Sequence, residues 1–362
     1  MLLSVNAGSS SLKLAVYDRA ARERLWEGSV GEIGGAARLK AAGAEAPVAA
    51  PDHLAALSAL GEAMDGAGLA FSAIEGAGHR VVHGGAEFSA PALVDAGVLA
   101  RIEALSALAP LHNPPAVSAI RAVMALAPAM PQIACFDTAF HARQPEVASA
   151  YALPAEQRAA GYRRYGFHGL SYQGLVERLP GILGTALPAR VLALHLGNGA
   201  SVCAIREGMG VATSMGFSPL EGLTMGTRSG SVDPALVLRI ARERGIDETE
   251  RLLLRESGLK GLSGGISDMR ALEAAGTPEA DFAIAHFCHW AARHGGSAIA
   301  AMEGVDLLAF TGGIGEHAHA VRARIVELLA WTGAPAVVVP ADEEVVLAAS
   351  AAALLGAGSA RS

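Results

Sequence analysis

Apolar residues occur in short runs that flank turns of small residues at two places in the chain. In the first, apolar runs at 2–5 and 12–17 flank a turn that contains Gly8 and three serines. In the second, apolar runs lie before and after Gly197-Asn198-Gly199. Because Gly and Asn tolerate the positive φ of a tight two-strand turn, both places predict antiparallel hairpins.

The two hairpins can be aligned with one another, with Gly8 on Gly197 and Ala15 on Ala204. A unit that recurs once in each half of a chain indicates two related α/β domains. The aligned stretch is too short to establish a duplication by itself.

Helical spacing and short apolar runs predict the elements that connect these hairpins. The expected helices are 54–68, 94–108, 116–126, 234–244, 248–255, 279–302 and 345–355, and the further strands are 132–136, 306–310 and 336–339.

Three stretches fit neither period. The Ala- and Gly-rich stretch 34–51 is expected to be turn-like, and Val81-Val82 is too short to be a core strand by itself. Residues 216–230 predict a long loop, which in a compact chain is usually functional or disordered. The apolar residues of that loop argue against disorder.

Composition narrows the class of protein. A chain of 362 residues suggests about two domains. We find no secretory signal and no apolar run near the ~18 residues of a membrane span, so no membrane role is expected. The net charge of −7 disfavours nucleic acid as the main partner. Three widely spaced cysteines indicate core residues in a reducing compartment, which predicts a cytoplasmic protein.

Several polar clusters carry candidate chemistry. The serine turn with Lys13 could cradle phosphate, or it could be an ordinary hairpin turn. Arg80, close to Gly84-Gly85, could bind an anion bidentately, or it could be exposed or ion-paired. His79 and His83 are four residues apart, but the glycines and valines beside them argue against the helix that a metal pair would need.

Two further clusters follow strands or glycines. Asp137 comes directly after the strand 132–136, which suits either chemistry at the strand end or a cap for a following helix. His168 lies between Gly166 and Gly169, where a ligand could approach the backbone, although a buried structural histidine would have the same surroundings. Residues 311–317 read as a strand, a Gly-rich turn and a helix, a weak signal of nucleotide contact.

Nine motifs in order resemble those of acetate kinases over nearly the whole chain. They are NAGSSSLK, GHRVVHGG, APLHNPP, FDTAFH, YGFHGLS, HLGNGAS, SMGFSPLEGLTMGTRSG, SGGISDMR and FTGGIGE.

That family belongs to the actin, sugar-kinase and heat-shock ATPase superfamily. The resemblance implies an α/β fold of two duplicated actin-like (ribonuclease H-like) domains, with an ATP cleft between them, usually in a homodimer. The expected domains are 1–141 and 142–340, with 341–362 returning to the first.

The resemblance also implies roles for individual residues. Catalytic groups would be Arg80, Asp137, His168 and Arg228, and His112 would have a supporting role. Magnesium would be held by Asn6 and Glu343, and the phosphate-facing hairpin would present Ser9, Ser11 and Lys13. Other nucleotide contacts would be His195, Leu196, Gly197, Asn198, Gly199, Asp268, Met269, Arg270, Gly313, Ile314, Gly315, Glu316 and His317. The acetate methyl pocket would be Val82, Leu111, Phe167 and Pro219.

The implied reaction is reversible, Mg²⁺-dependent, in-line transfer of the ATP γ-phosphoryl group to acetate, giving acetyl phosphate and ADP. Mn²⁺ is an alternative metal. A propionate or butyrate kinase of the same family is an alternative function, and a non-metabolic actin-like ATPase is a more distant one. The chain departs from the family pattern in a shortened region between residues 27 and 75, in His317, where Asn is usual, and in Ser231-Val232.

Overall fold

The computed structural model describes residues 1–359. Residues 360–362, which end the predicted segment 341–362, lie outside the described residues. The strands are β1 Leu2–Gly8, β2 Ser11–Tyr17, β3 Arg24–Gly31, β4 Arg38–Ala41, β5 Ala44–Pro47, β6 Gly76–Val81, β7 Ala92–Leu93, β8 Gln132–Phe136, β9 Arg190–Leu196, β10 Ala200–Arg206, β11 Met209–Thr213, β12 Leu307–Thr311 and β13 Ala336–Val338.

Fourteen α-helices lie between and after these strands in the described residues 1–359. They are α1 His53–Gly66, α2 Ala96–Ala104, α3 Asn113–Leu126, α4 Glu146–Ser149, α5 Ala155–Ala159, α6 Gly169–Leu183, α7 Pro234–Arg244, α8 Ile246–Arg251, α9 Gly258–Leu262, α10 Met269–Ala275, α11 Pro278–Ala301, α12 Gly312–His317, α13 His319–Leu328 and α14 Glu343–Ser359. Short 3₁₀ turns lie at Phe71–Ala73, Leu105–Ala107, Ala139–His141 and Ala330–Thr332, and Leu252–Glu256 forms a π-helical turn.

The chain forms two compact units, each with its own sheet. The first contains Met1–Ala139 and the chain from Asp342 onward, and the second is Phe140–Ala341. The first sheet has the strand order β5-β4-β3-β2-β1-β6-β8-β7, and the second has β11-β10-β9-β12-β13.

Five strands of the first sheet share the topology of the second. In the first, β1, β2 and β3 pair antiparallel in sequence, while β6 joins β1 and β8 joins β6 in parallel. In the second, β9, β10 and β11 repeat the antiparallel set, and β12 and β13 repeat the parallel one. This repetition confirms the predicted α/β class with two related units, and both predicted hairpins are present as β1–β2 and β9–β10.

Alternating burial explains the layers of the first unit. Leu3 and Val5 of β1 share one core with apolar residues of α1 and α3. Because successive strand residues face opposite sides, Leu2 and Ser4 face the other side of the sheet. Both are also buried, and α14 packs against β1, β6 and β8.

A close approach of backbones fixes α14 on the first sheet. A Cβ at Gly78 of β6 would lie 2.8 Å from the carbonyl carbon of Leu347 in α14. No side chain fits between the two elements, so glycine is required there. This contact sets the position of Glu343, the first residue of α14.

The second unit is built in the same way. Buried residues of α6, among them Tyr172 and Leu175, pack against β9, β10 and β12 in one core. The long α11, expected from its helical spacing and its Thr277 cap, is present and packs against β9 and β10. The expected loop 216–230 contains no helix or strand, as predicted.

Two sequence-based expectations for the first unit were wrong. The stretch 34–51 contains β4 and β5, which extend the sheet edge through pairing with β3. The helix expected at 116–126 starts earlier, at Asn113, because two prolines suit the first helical turn. Val81 is the last residue of the longer strand β6, whose sequence, Gly76–Val81, has few apolar side chains.

The cysteines behave as the sequence predicted: Cys135, Cys203 and Cys288 are free and buried. Within residues 1–359, the helices are all too short or too polar to cross a membrane.

We expect Gly78→Ala to destabilise the first unit by about 2 kcal/mol or more, because the added methyl meets backbone that cannot rotate away. Gly66→Ala is the matched control, since Gly66 has open space around its Cβ position. Chemical denaturation of both variants measures the effect. Equal midpoints for the two would contradict the packing described for α14.

Candidate active site

The first unit holds a buried ion-pair cluster where its central strands end. Arg80 of β6 donates from Nη2 to Asp137 Oδ2 at 2.7 Å and from Nε to both Asp137 oxygens at 3.1 and 3.2 Å. Its Nη1 lies 3.2 Å from Glu343 Oε2. The Asp137 side chain is 1% exposed, whereas that of Arg80 is 23% exposed.

Strand order explains why these residues meet. Parallel strands end at the same sheet edge, and β6 and β8 are adjacent and parallel. Asp137 follows β8 directly, and its backbone N–H donates to the Val81 carbonyl at 3.0 Å. Of the alternatives raised by the sequence, Arg80 is the ion-paired arginine, and Asp137 pairs with it at the strand end.

Burial and charge act in opposite directions on Asp137. Burial raises the pKa of the Asp137 carboxyl, the guanidinium of Arg80 lowers it, and the nearby Glu343 raises it, with a net upward direction. Burial lowers the pKa of Arg80, but Asp137 and Glu343 more than offset this, so Arg80 stays charged.

The β1–β2 hairpin presents the other candidate groups of the first unit. Asn6 pairs with Lys13 across the hairpin, and Lys13 is exposed. Ser9 is exposed at the turn, and Ser11 is partly buried. His53 supports the turn, because its Nε2 donates a hydrogen bond to the Gly8 carbonyl at 2.9 Å.

The chain after β6 is fixed by buried polar contacts. The Asn113 side chain donates to the His83 carbonyl and accepts from the His83 N–H, each at 3.0 Å. His79 lies within β6, so the helical metal pair is excluded, as the sequence suggested. Among residues 1–359, groups of three or more His, Cys, Asp or Glu that could hold a metal ion are absent.

In the second unit, His168 adopts a left-handed conformation, with φ 58°, immediately before α6. Its Nδ1 hydrogen bonds with Ser201 Oγ at 2.9 Å, and its ring stacks on that of His195, with 4.1 Å between centroids. His195 Nδ1 in turn hydrogen bonds with Ser171 Oγ at 2.8 Å. A strained backbone held by several contacts is typical of functional sites.

Arg228 and His168 converge on the hairpin turn of the second unit. The Cβ position of Gly199 lies 3.3 Å from His168 Nε2 and 3.5 Å from Arg228 Nη2. Any larger residue at 199 would occupy the space between these two groups. Glycine therefore leaves room there for a ligand.

Arg228 is a partly buried cation. Its Nη1 donates to the Pro219 carbonyl at 2.8 Å, and burial lowers its pKa. Within the described residues 1–359, Arg228 has no carboxylate partner within ion-pair distance. A charge removed from water without a counter-ion is costly, so this position favours an anionic ligand.

Three segments of the second unit line one cavity of about 770 Å³. They are the β9–β10 turn, the start of α10 and the segment around α12. The lining residues are Gly197, Asn198, Ser267, Asp268, Met269, Arg270, Gly313, Ile314, His317 and Ala318. Eight of the expected nucleotide-contact residues are among them, and Ser267 and Ala318 were not expected.

Other expected nucleotide residues lie elsewhere. Leu196 and Gly315 are buried, and Gly199 faces His168. Glu316 Oε1 accepts from the Ala341 N–H at 2.8 Å. These four, with the stacked His195, are not part of the cavity lining.

The expected methyl-pocket residues have different surroundings. In the first unit, Val82 is partly buried and Leu111 is 43% exposed, next to His112 before α3. In the second, Phe167 is 1% exposed, with its carbonyl accepting from His141 Nε2 at 2.9 Å, and Pro219 accepts from Arg228.

Sequence reasoning missed the hydroxyls that support the two histidines. Ser201 on β10 also hydrogen bonds with the Tyr172 hydroxyl at 2.5 Å, and Tyr172 is buried. Ser201 sits two residues after the turn on the expected second strand. Its polar character within an apolar run was the available signal.

The chain is similar to curated acetate kinases over most of its length. It is 41% identical to that of Nitrobacter hamburgensis, over 98% of this chain and 96% of the relative. It is 46% identical to that of Rhodopseudomonas palustris, over 92% and 87%.

Solved structures agree in fold. The acetate kinase of Porphyromonas gingivalis matches with a TM-score of 0.91 at 33% identity, over 98% of this chain and 99% of that one. A propionate kinase from Francisella tularensis also gives 0.91, at 34% identity, over 97% and 98%. Residues 1–350 match the family model described as the Acetokinase family. The chain therefore belongs to the acetokinase family.

Proposed function

We propose that the protein catalyses reversible transfer of the γ-phosphoryl group of ATP to acetate, giving acetyl phosphate and ADP. It is a phosphotransferase of the acetokinase family. The observation that carries the proposal is the partly buried Arg228, close to His168 around Gly199. The acetate kinases to which the chain is similar support acetate as the acceptor.

Charge explains what such a site has to do. ATP and a carboxylate are both anionic, so their approach is repulsive. Phosphoryl transfer depends mainly on alignment and on neutralising the equatorial charge of the moving group. Arg228 and the imidazole of His168 would supply that neutralisation in the second unit, and the resemblance to acetate kinases implies the same role for Arg80.

The first-unit cluster suits a cation. One guanidinium and two carboxylates leave a formal charge of −1 on Arg80, Asp137 and Glu343 when both acids are ionised. Asn6 and Glu343 offer the oxygen donors that Mg²⁺ prefers, and Mg²⁺ is usually held by one or two carboxylates together with substrate phosphates. These residues would hold Mg²⁺, or Mn²⁺ in its place, and the metal would neutralise phosphate charge.

The acceptor needs no general base. Carboxyl groups have pKa values of ~4, so acetate is already ionised at neutral pH. Asp137 would therefore act by holding the guanidinium of Arg80 in place. Direct transfer requires no phosphorylated protein, because the acetate oxygen can attack the phosphorus in line.

The nucleotide would occupy the cavity of the second unit. Its backbone turns and small residues, Gly197, Asn198 and Gly313, leave polar groups accessible to a ligand. The β1–β2 hairpin, with Ser9, Ser11 and Lys13, would face the phosphates. We keep the division into domains 1–141 and 142–340, with a returning C-terminal segment, as part of this proposal.

The expected acceptor contacts favour a short acid. The resemblance implies that Val82, Leu111, Phe167 and Pro219 contact the acceptor, and apolar side chains of this kind suit a methyl group. The similarity to a propionate kinase of equal TM-score keeps propionate as a second candidate acceptor.

The proposal includes a cytoplasmic homodimer. The cysteines are free thiols, as a reducing compartment requires, and fractionation of the source cells tests this location. Helix α7 buries none of its residues and leaves Leu236 and Leu238 about half exposed, at 48% and 56%. On α11, Phe282 is 57% exposed. Apolar residues on such exposed helices favour a second copy as their cover.

We expect acyl phosphate to form from MgATP and acetate, with kcat/KM for propionate about 10- to 200-fold lower and butyrate nearly inactive. One extra methylene in a stiff apolar pocket has a cost of this size. Hydroxylamine trapping of the acyl phosphate, with ADP measured in parallel, gives the three values. ADP release at the same rate with no acid present would reject the proposal in favour of an acid-independent ATPase.

We expect Arg228→Ala to lower kcat by ~10³-fold or more, as charge-stabilising arginines do in phosphoryl transfer. Arg206→Ala on β10 is the control, since Arg206 is 49% exposed and pairs only loosely with Glu303 at 3.7 Å. A folded Arg228 variant that keeps more than about a tenth of wild-type kcat would remove Arg228 from the reaction.

Light scattering at micromolar concentration should give twice the mass of one chain. Replacing both Leu236 and Leu238 by Glu should shift the mass towards one chain, because charges desolvated at an apolar interface weaken it. A wild-type monomer would reject the homodimer.

A further inference from the structure

Three side chains hold the loop 216–230, which carries Arg228. They are Glu221, Tyr151 and Arg164, and together they are called the clamp. Glu221 lies in this loop, and its Oε2 accepts a short hydrogen bond from the Tyr151 hydroxyl. Its Oε1 pairs with Arg164 Nη1. The guanidinium carbon of Arg164 lies 4.5 Å from the centre of the Tyr151 ring, so the two partners also hold each other.

The Tyr151 hydroxyl of the clamp is tightly surrounded. Because a carboxylate only accepts, the Tyr151 hydroxyl donates to Glu221 and accepts from the Phe217 N–H at 2.9 Å. A Cβ at Gly216 would overlap both the Tyr151 hydroxyl and the Glu221 carboxylate. Glycine at 216 therefore lets the loop close on the clamp.

The contacts continue from the clamp to Arg228. Pro219, two residues before Glu221, accepts the hydrogen bond from Arg228 Nη1 at 2.8 Å. The chain just after Glu221 is held as well, since the Gly222 N–H donates to Ser231 Oγ at 3.1 Å. The segment from Phe217 to Gly222 is thus fixed at both ends, and the Pro219 carbonyl lies between them.

We propose that Glu221, clamped by Arg164 and Tyr151, is a positioning residue that fixes the guanidinium of Arg228 through the Pro219 carbonyl. This inference rests on the proposed function, in which Arg228 contacts the reacting groups. Glu221 is not among the residues proposed to contact either substrate. A displacement of about 1 Å at a reacting group can lower a rate about 100-fold. A clamp that acts on Arg228 only through the Pro219 carbonyl can therefore govern kcat.

The test compares Glu221→Gln with Asp306→Asn. Asp306 pairs with Arg190 Nη2 at 2.6 Å, and its side chain is 34% exposed, against 31% for Glu221. Both variants remove the charge of a half-buried ion pair in the second unit, but the Arg190–Asp306 pair lies outside the loop of Arg228. The control therefore reports what the loss of such a pair costs in stability alone.

We expect Glu221→Gln to lower kcat about tenfold or more while KM for ATP changes less than about threefold, and Asp306→Asn to leave both unchanged. Tyr151→Phe should lower kcat in the same direction. Arg164→Gln combined with Glu221→Gln should lower kcat no further than the larger single effect, because both changes break one pair.

A second readout does not depend on activity. Phenylglyoxal reacts with accessible arginines, and peptide mass spectrometry measures the reaction of Arg228 in the absence of substrates. Glu221→Gln should speed the modification of Arg228 several-fold over wild type, whereas Asp306→Asn should not. The exposed Arg206 serves as the internal standard.

The outcomes separate the two proposals. If wild type shows no acid-dependent turnover but Arg228 is modified faster in Glu221→Gln, the proposed function fails and the positioning stands. If wild type is active and Glu221→Gln matches Asp306→Asn in both kcat and Arg228 modification, the positioning role is overturned.

Discussion

A buried carboxylate has to be paired, and Asp137, with 1% of its side chain exposed, is paired with Arg80. This constraint ties together three distant parts of the chain: the ends of β6 and β8 and the start of α14, where Glu343 contacts the same guanidinium. The backbone contact between Gly78 and Leu347 holds α14 close enough for that to happen. The first unit is thus organised around one cation held between two carboxylates.

The cation of the second unit, Arg228, has a different kind of partner. Arg228 donates to a carbonyl rather than to a carboxylate, and it shares the space around Gly199 with His168. A guanidinium with no counter-ion among the described residues suits an anionic ligand, whereas one held by two carboxylates suits a metal-bound phosphate beside it. Two sheets with the same core topology therefore hold cations with different electrostatic roles.

The sequence predicted the parts of this arrangement that local patterns encode. The turn at 197–199, the loop 216–230 and Asp137 at a strand end all follow from residue type and neighbours. The strand β6 did not, because its sequence, GAGHRV, lacks the apolar alternation of a strand; glycine at 78 is there for α14, which is distant in sequence. Propensity yields to tertiary packing at such positions.

Contacts between residues that are far apart in the sequence could not be predicted, for the same reason. Nothing near Arg80 indicates Glu343, and nothing near Glu221 indicates Tyr151, since each pair forms only when the chain has folded. The strands β4 and β5 were missed because short, exposed strands at a sheet edge have little apolar content to mark them.

The central claim is that a carboxylate oxygen attacks the γ-phosphorus of ATP. Acetate labelled with ¹⁸O in both oxygens, incubated with the protein and MgATP, tests it most directly by ³¹P NMR. We predict an isotope shift on the acetyl phosphate phosphorus from one bridging ¹⁸O, together with one ADP for each acetyl phosphate formed. Unlabelled inorganic phosphate as the only product, or AMP and pyrophosphate in place of ADP, would contradict the account.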